Sequence, residues 1–431
     1  MKKVFPLLCA ATIVSSPFAG YAQANEMKQE VEADQTTTVN ETEDENTEKA
    51  TQQEAVKELT LEDVIKRGTE NSKNLTVLQL NLELSKNELL KTDYDKNKAA
   101  RDIKKLEDKI DDLKDERDDL TDINDRIQNS KDRMEHQESI EALEEEIESL
   151  EMSVKQLETG QLQLQFQEEE AKEGVRLMLT SSYTNLLLLQ EQIDFTKKSL
   201  QSAINDVNKH QLLYNLGRVS QEAVRQVQIA KENAERQLEE QEKSYRQTLA
   251  DLCFDIGVAY NPDMTVKPVG FELLSFEKPT EFNSLIENSY RMKNAQKDLE
   301  SAILERDQVY KDYEDRKKDV TVYDKENQDY LLKIAETRIT TTKDELKVAI
   351  EQLYRDAEGS YSAYEEALRH LEIKRKEVEI LQLRYNLGRV SKYDFEQAQL
   401  GLQAAELGVY ETKVQNYTIQ QSIAALQKGY I

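Results

Sequence analysis

From Leu59 onward the apolar residues recur at spacings of three and four, with little of the strict alternation that a half-buried strand would show. Ile103, Leu106, Ile110, Leu113 and Leu120 form one such series, and Ile140, Leu143, Ile147, Leu150, Val154 and Leu157 form another. Charged residues fill the positions between them. Two apolar seams of this kind, separated by a polar stretch, predict an antiparallel coiled-coil hairpin, with Asn129-Ser130-Lys131-Asp132 as the connection. Thr60 ahead of Glu62 and Asp63 predicts a helix start, because a threonine oxygen caps free N–H groups and carboxylates suit the positive helix end. The second seam continues through Leu186, Leu189, Ile193, Leu200, Ala203 and Val207 to Tyr214. A helix from about residue 138 to there would be on the order of 110 Å long at 1.5 Å per residue.

A further helix is predicted to about Val258. Pro262, Pro268, Gly270 and Pro279 then mark a linker, after which the helical pattern restarts over about 281–319, 326–385 and from Ser391 onward. The expected organisation is a signal peptide over 1–24, an acidic linker over 25–58, a first hairpin repeat over 59–260 with an extended coiled coil at about 101–158, a linker over 261–280, and a second hairpin repeat over 281–431. Leader cleavage is expected after Ala24, at Ala22-Gln23-Ala24. Cys9 follows Leu7 and Leu8, where a lipobox has a small residue, so acylation is not expected. Residues 25–58 are rich in Glu, Asp, Thr, Asn and Gln, too polar to offset the entropy of ordering, and are expected to be a disordered tether.

The repeat is literal at one place. Tyr214-Asn215-Leu216-Gly217-Arg218-Val219-Ser220 recurs letter for letter as Tyr385-Asn386-Leu387-Gly388-Arg389-Val390-Ser391, 171 positions later. Ile193, Leu200, Val207 and Tyr214 map by the same offset onto Tyr364, Leu371, Val378 and Tyr385. Gly217 and Gly388 suit the positive φ that closes a helix, and Ser220 and Ser391 suit the cap of the next one, with Asp394 three residues on. A plain helix-turn-helix corner accounts for glycine and serine. It leaves the retained leucine, arginine and valine to a shared docking role.

Composition narrows the function classes. The formal charge of −27 opposes binding to nucleic acid or anionic lipid by general electrostatics. With 33% charged residues, 12 Gly, 5 Pro and no Trp, the chain suits long helices and lacks the aromatic girdles of a membrane barrel. Beyond the leader there is no integral membrane span, and Cys253 alone cannot form an intramolecular disulfide. His136, His210 and His370 are not at metal-ligand spacing, and no nucleophile-elbow, P-loop or dinucleotide motif occurs, so neither enzyme activity nor a cofactor is expected.

The turns Tyr214-x-x-Gly217-x-x-Ser220 and Tyr385-x-x-Gly388-x-x-Ser391 resemble those of the TolC-like outer-membrane efflux proteins. So do the following Gln397, Ala398, Leu400, Leu402, Ala404 and Ala405, and the opening Leu59-Thr60-Leu61-Glu62-Asp63. The resemblance implies an all-α fold, long antiparallel coiled-coil hairpins in two tandem repeats. It implies that residues 214, 216–220, 385 and 387–391 form tips that dock on a periplasmic-adaptor-like (membrane fusion) protein and an ABC-type or other inner transporter. Asp394 resembles an aperture aspartate, although Ala223 holds that place in the first copy. A homo-oligomer, by resemblance a trimer, in the extracytoplasmic envelope is implied. Where the family inserts barrel strands this chain has the charged heptads of 101–158, and the short Val320-Thr321-Val322-Tyr323, so no β-barrel is expected. The first repeat is longer than the second by about 40 Å of hairpin on that count. A coiled-coil spacer or regulator of cell-wall enzymes is the alternative reading.

Overall fold

The computed structural model describes residues 57–273, 276–315 and 320–431. The expected signal peptide and all but the end of the expected tether lie outside the described residues. Eight helices follow in order: α1 (Leu61–Asn71), α2 (Lys73–Asp119), α3 (Ile123–Asn215), α4 (Gln221–Asp255), α5 (Asn283–Asn288), α6 (Tyr290–Glu314), α7 (Val322–Asn386) and α8 (Lys392–Gln427). The only strands among the described residues are β1 (Glu58–Leu59) and β2 (Thr265–Val266), a two-residue parallel pair. No described helix is long and apolar enough to cross a membrane.

The helices lie side by side in two connected layers. In one, the order is α2, α3, α6, α7; in the other it is α4, α3, α8, α7. Helices α3 and α7 run through both. At 93 residues α3 would extend about 140 Å. It is longer than its periodicity predicts because the expected turn at Asn129–Asp132 is helix, and the chain reverses instead at Leu120-Thr121-Asp122. Asp122 caps α3 by accepting from the Asn124 N–H at 2.6 Å, and Arg126 donates from Nε to the Leu120 carbonyl at 2.7 Å. Asn129 is buried and donates from Nδ2 to the Leu113 carbonyl at 2.7 Å. It therefore occupies the seam itself, followed at seam spacing by Arg133, His136 and Ile140. Polar residues at seam positions mimic a loop in the pattern while the backbone stays helical.

The core lies where the two layers meet, and it is duplicated. Leu179 and Tyr183 of α3 are buried among Leu59, Val64, Leu249, Leu252, Ile256 and Val266. Ile350 and Tyr354 of α7, at the 171-residue offset, are buried with Phe282, Ile286, Met292 and Leu426. The Tyr183 hydroxyl lies 2.9 Å from the Leu59 carbonyl and 2.7 Å from that of Lys267, tying the strand pair to α3.

Each repeat also breaks a helix at an identical tripeptide. Glu70-Asn71-Ser72 separates α1 from α2, and Glu287-Asn288-Ser289 separates α5 from α6. Both serines cap the helix that follows. In the first repeat Asn71 donates to the Asp255 carbonyl at 3.2 Å, against the positive-φ Gly257 that ends α4. In the second, the Tyr290 N–H donates to the carbonyl of positive-φ Gly429 at 2.9 Å. A side chain on Gly429 would meet the Asn288 carbonyl at 2.6 Å, so the joint requires glycine for space as well as for torsion.

Candidate functional site

The duplicated heptapeptides form the α3–α4 and α7–α8 turns, and the two are built alike. Gly217 has φ 66° and Gly388 has φ 69°, the left-handed conformation that a Cβ disfavours. Around each glycine the last carbonyls of the incoming helix are satisfied in the same way. The Arg218 N–H donates to the Leu213 carbonyl at 2.8 Å and the Gly217 N–H to that of Tyr214 at 2.8 Å. The Arg389 and Gly388 N–H groups do the same to Arg384 and Tyr385, at 2.8 and 2.9 Å. Ser220 accepts from the Ala223 N–H at 3.2 Å, and Ser391 from that of Asp394 at 3.1 Å. These groups set the turn and leave the leucine and arginine of each copy exposed.

Leu216 and Leu387 remain 61% and 68% exposed at the apex of their turns, far more than a packing role would leave them. Arg218 and Arg389 are exposed beside them, and Val219 and Val390 are half-buried. The surroundings are more basic than the chain as a whole, with Lys209, His210 and Arg225 near one turn and Arg384 and Lys392 near the other. Each turn thus presents a leucine and an arginine on a rigid frame.

The copies differ beneath the surface. Tyr385 stacks on Phe395, ring centroids 5.3 Å apart and planes within 10°. The first copy has Val224 at the place of Phe395, and Tyr214 is 41% exposed. Asp394 accepts from the Ser391 hydroxyl at 2.7 Å, so its carboxylate is engaged in the cap. Ala223 has no counterpart to that bond.

Helices α3 and α8 bring the repeats together through side chains that periodicity does not single out. Tyr393 donates to Asp206 Oδ2 at 2.9 Å, with Lys209 Nζ 3.5 Å from its ring centroid, and Gln397 donates to the Ser202 hydroxyl at 2.7 Å. Burial and the bond to Asp206 push the Tyr393 phenol up to about 12. Farther along, Arg176 donates to Gln421 at 2.7 Å. This antiparallel pairing places Ser391 level with about Asn208, nine residues before Gly217. The first turn therefore projects about 13 Å beyond the second along the helix axis. The only sequence signal for this ladder is a run of polar residues on a half-buried face, which a solvated face shares.

Among the described residues no group of three or more His, Cys, Asp or Glu is placed to hold a metal ion. Cys253 is a buried thiol beside Met264, pushed up by burial. His210 lies with Nδ1 2.9 Å from the Asp206 carbonyl.

No protein-family model and no curated protein sequence matches the chain. Solved structures do. A membrane protein from Pseudomonas aeruginosa superposes with a TM-score of 0.55 at 10% identity, covering 86% of this chain and 90% of the other. CusC, described with transmembrane channel formation, gives 0.54 at 11% identity over 86% and 92%. The open state of the Neisseria gonorrhoeae MtrE outer membrane channel gives 0.51 at 12% identity over 86% and 89%. At such identities the likeness is one of fold. The fold is the helical domain of TolC-like channels, with the two-residue pair β1–β2 as the only strands among the described residues.

Proposed function

We propose that the protein is a conduit component of an extracytoplasmic export assembly, in which copies close edge to edge and the paired tips dock on an adaptor or an ABC-type transporter. The observation that carries this reading is the open layer. Its edge helices expose apolar residues at heptad-compatible spacing: Val77, Leu80 and Leu84 on α2, and Tyr323, Tyr330, Ile334 and Val348 on α7. Stripes of this kind on a soluble surface mark contact sites, and two different edges on one protomer suit a head-to-tail contact that closes into a ring. The fold shared with outer membrane channels supports it, and the TolC resemblance makes a trimer the expected ring.

The tips supply the docking chemistry. An exposed leucine beside an exposed arginine, held by satisfied caps, offers a partner an apolar anchor and a charge at little conformational cost. Reversing Arg218 and Arg389 together to Glu should leave circular dichroism and melting temperature unchanged, since exposed charges contribute little to folding. It should abolish or strongly weaken co-purification of the envelope partner. Partner retention by the doubly reversed protein would remove the tips from recognition and favour the coiled-coil spacer or wall-enzyme regulator instead.

A further inference from the structure

Past the point where α6 ends, the α2–α3 hairpin continues with no other described helix beside it. Helix α6 runs antiparallel to α3, with Asp298 beside Gln163, Glu305 beside Gln156, and Lys311 and Gln308 beside Glu148. Continuing that pairing puts the end of α6, Glu314, level with about Glu145. From there to Ile123, over about 33 Å, the face of α3 that α6 covers lower down has no helix of the described residues on it. That bare face carries three exposed apolar residues, Ile123, Ile127 and Met134, which are 74%, 50% and 65% exposed.

The register identifies the face. Met134 and Ile127 stand two and three whole heptads before Glu148, and Glu141 stands one heptad before it, so all share the position from which Glu148 receives Lys311. Glu138 and Glu145 lie beside that line, with Lys131 one heptad before Glu138. The hairpin around it is strongly acidic: from Glu107 to Glu145, over both arms, there are sixteen carboxylates against six cations. We infer that this face is a docking site for a cationic amphipathic helix of a partner protein, which would lie in line with α6 and continue the layer. Its apolar side would cover Ile123, Ile127 and Met134, and its Lys or Arg residues would meet Glu138 and Glu141 as Lys311 meets Glu148. A second copy of this hairpin is a poor occupant, because it presents the same excess of carboxylates and like charges brought together repel. Helix-in-groove binding needs this combination of periodic anchors and flanking charge. The inference does not depend on ring closure or on the tips.

The test uses the full chain and a synthetic helical peptide with a leucine stripe flanked by lysines, alongside a counterpart flanked by glutamates, read by fluorescence anisotropy at 0.15 M salt. The lysine peptide should bind about tenfold or more tightly than the glutamate peptide. Combined Ile123→Ser, Ile127→Ser and Met134→Ser should weaken it about tenfold, while Val77→Ser, Leu80→Ser and Leu84→Ser on α2 should not. Should the first triple variant lose helicity, Glu138→Lys with Glu141→Lys keeps the test open, since it should shift preference toward the glutamate peptide. Equal binding of the lysine peptide to wild type and the first triple variant would reduce the effect to diffuse attraction by an acidic chain and overturn the inference. So would absence of binding, or a triple variant whose only change is lost self-association, which would make the occupant a second copy.

Discussion

The two ends of this molecule are both helical hairpins, yet they are stabilised differently. At the tip end the reversals are tight glycine turns with satisfied carbonyls, and α3 is flanked by α4 of its own repeat and α8 of the other. At the far end α2 and α3 reverse through Leu120-Thr121-Asp122 without glycine, and beyond α6 they pack, among the described residues, only on each other. Their seam there holds Asn129 and Arg133, whose Oδ1 and Nε atoms are buried without a hydrogen-bond partner. Buried polar atoms of this kind lower stability and can fix register. The contrast teaches that one heptad pattern yields a supported layer or a lone arm, according to whether another helix lies alongside.

Substitution at the core should break the comparison most strongly. Leu179 is fully buried where α1 crosses α3, and its side chain fills the space that a Cβ on Gly68 would need. Leu179→Ala should cost about 3 kcal/mol or more, read by chemical denaturation. By contrast, excising the paired heptads 103–109 and 133–139 from the lone arm should leave the main unfolding transition in place and shorten the particle by about 10 Å in small-angle scattering. Unfolding of the tip half after that excision would mean the arm is not modular.

The turns come next. Gly217→Val or Gly388→Val should cost roughly 1–2 kcal/mol through torsional strain alone, because beyond the adjoining residues no atom lies within 4 Å of the added Cβ at either place. Native-state hydrogen exchange should show the loss confined to the last turns of the flanking helices. A loss spread over the whole chain would show that the turns govern the packing of the layer.

The smallest effect concerns Tyr183. Burial is the main cause that pushes its phenol up to about 12, so the fold favours the neutral form. That contribution is fully present below the ordinary tyrosine value of about 10 and is lost as pH rises through about 12. Tyr183→Phe should cost about 1 kcal/mol at pH 8 and flatten the fall in melting temperature above pH 10. An unchanged alkaline profile would assign that fall to half-buried phenols such as Tyr393 and Tyr410.

Much of this was legible in the chain because heptads and a duplicated heptapeptide leave strong traces. The paired seams, the positive φ at Gly217 and Gly388, and the caps at Thr60, Ser220 and Ser391 all follow from local chemistry. The far reversal was misplaced by nine residues because Asn129 and Arg133 sit in the seam, and polarity alone does not separate a loop from a polar seam. The breaks at Ser72 and Ser289 interrupt no apolar pattern, although the repeated Glu-Asn-Ser marks both. The β1–β2 pair is too short for any periodicity. The Asp206–Tyr393 contact joins residues 187 positions apart, and nothing local announces it.

Closure of the layer through its α2 and α7 edges is the claim on which the conduit reading rests. Light scattering on the purified protein at high concentration, alone and with its docked partner, tests it most directly. The account predicts a discrete multiple of the protomer mass, three by resemblance, which is lost when Leu80, Leu84, Tyr330 and Ile334 are replaced by Lys. A strictly monomeric protein under both conditions would contradict it.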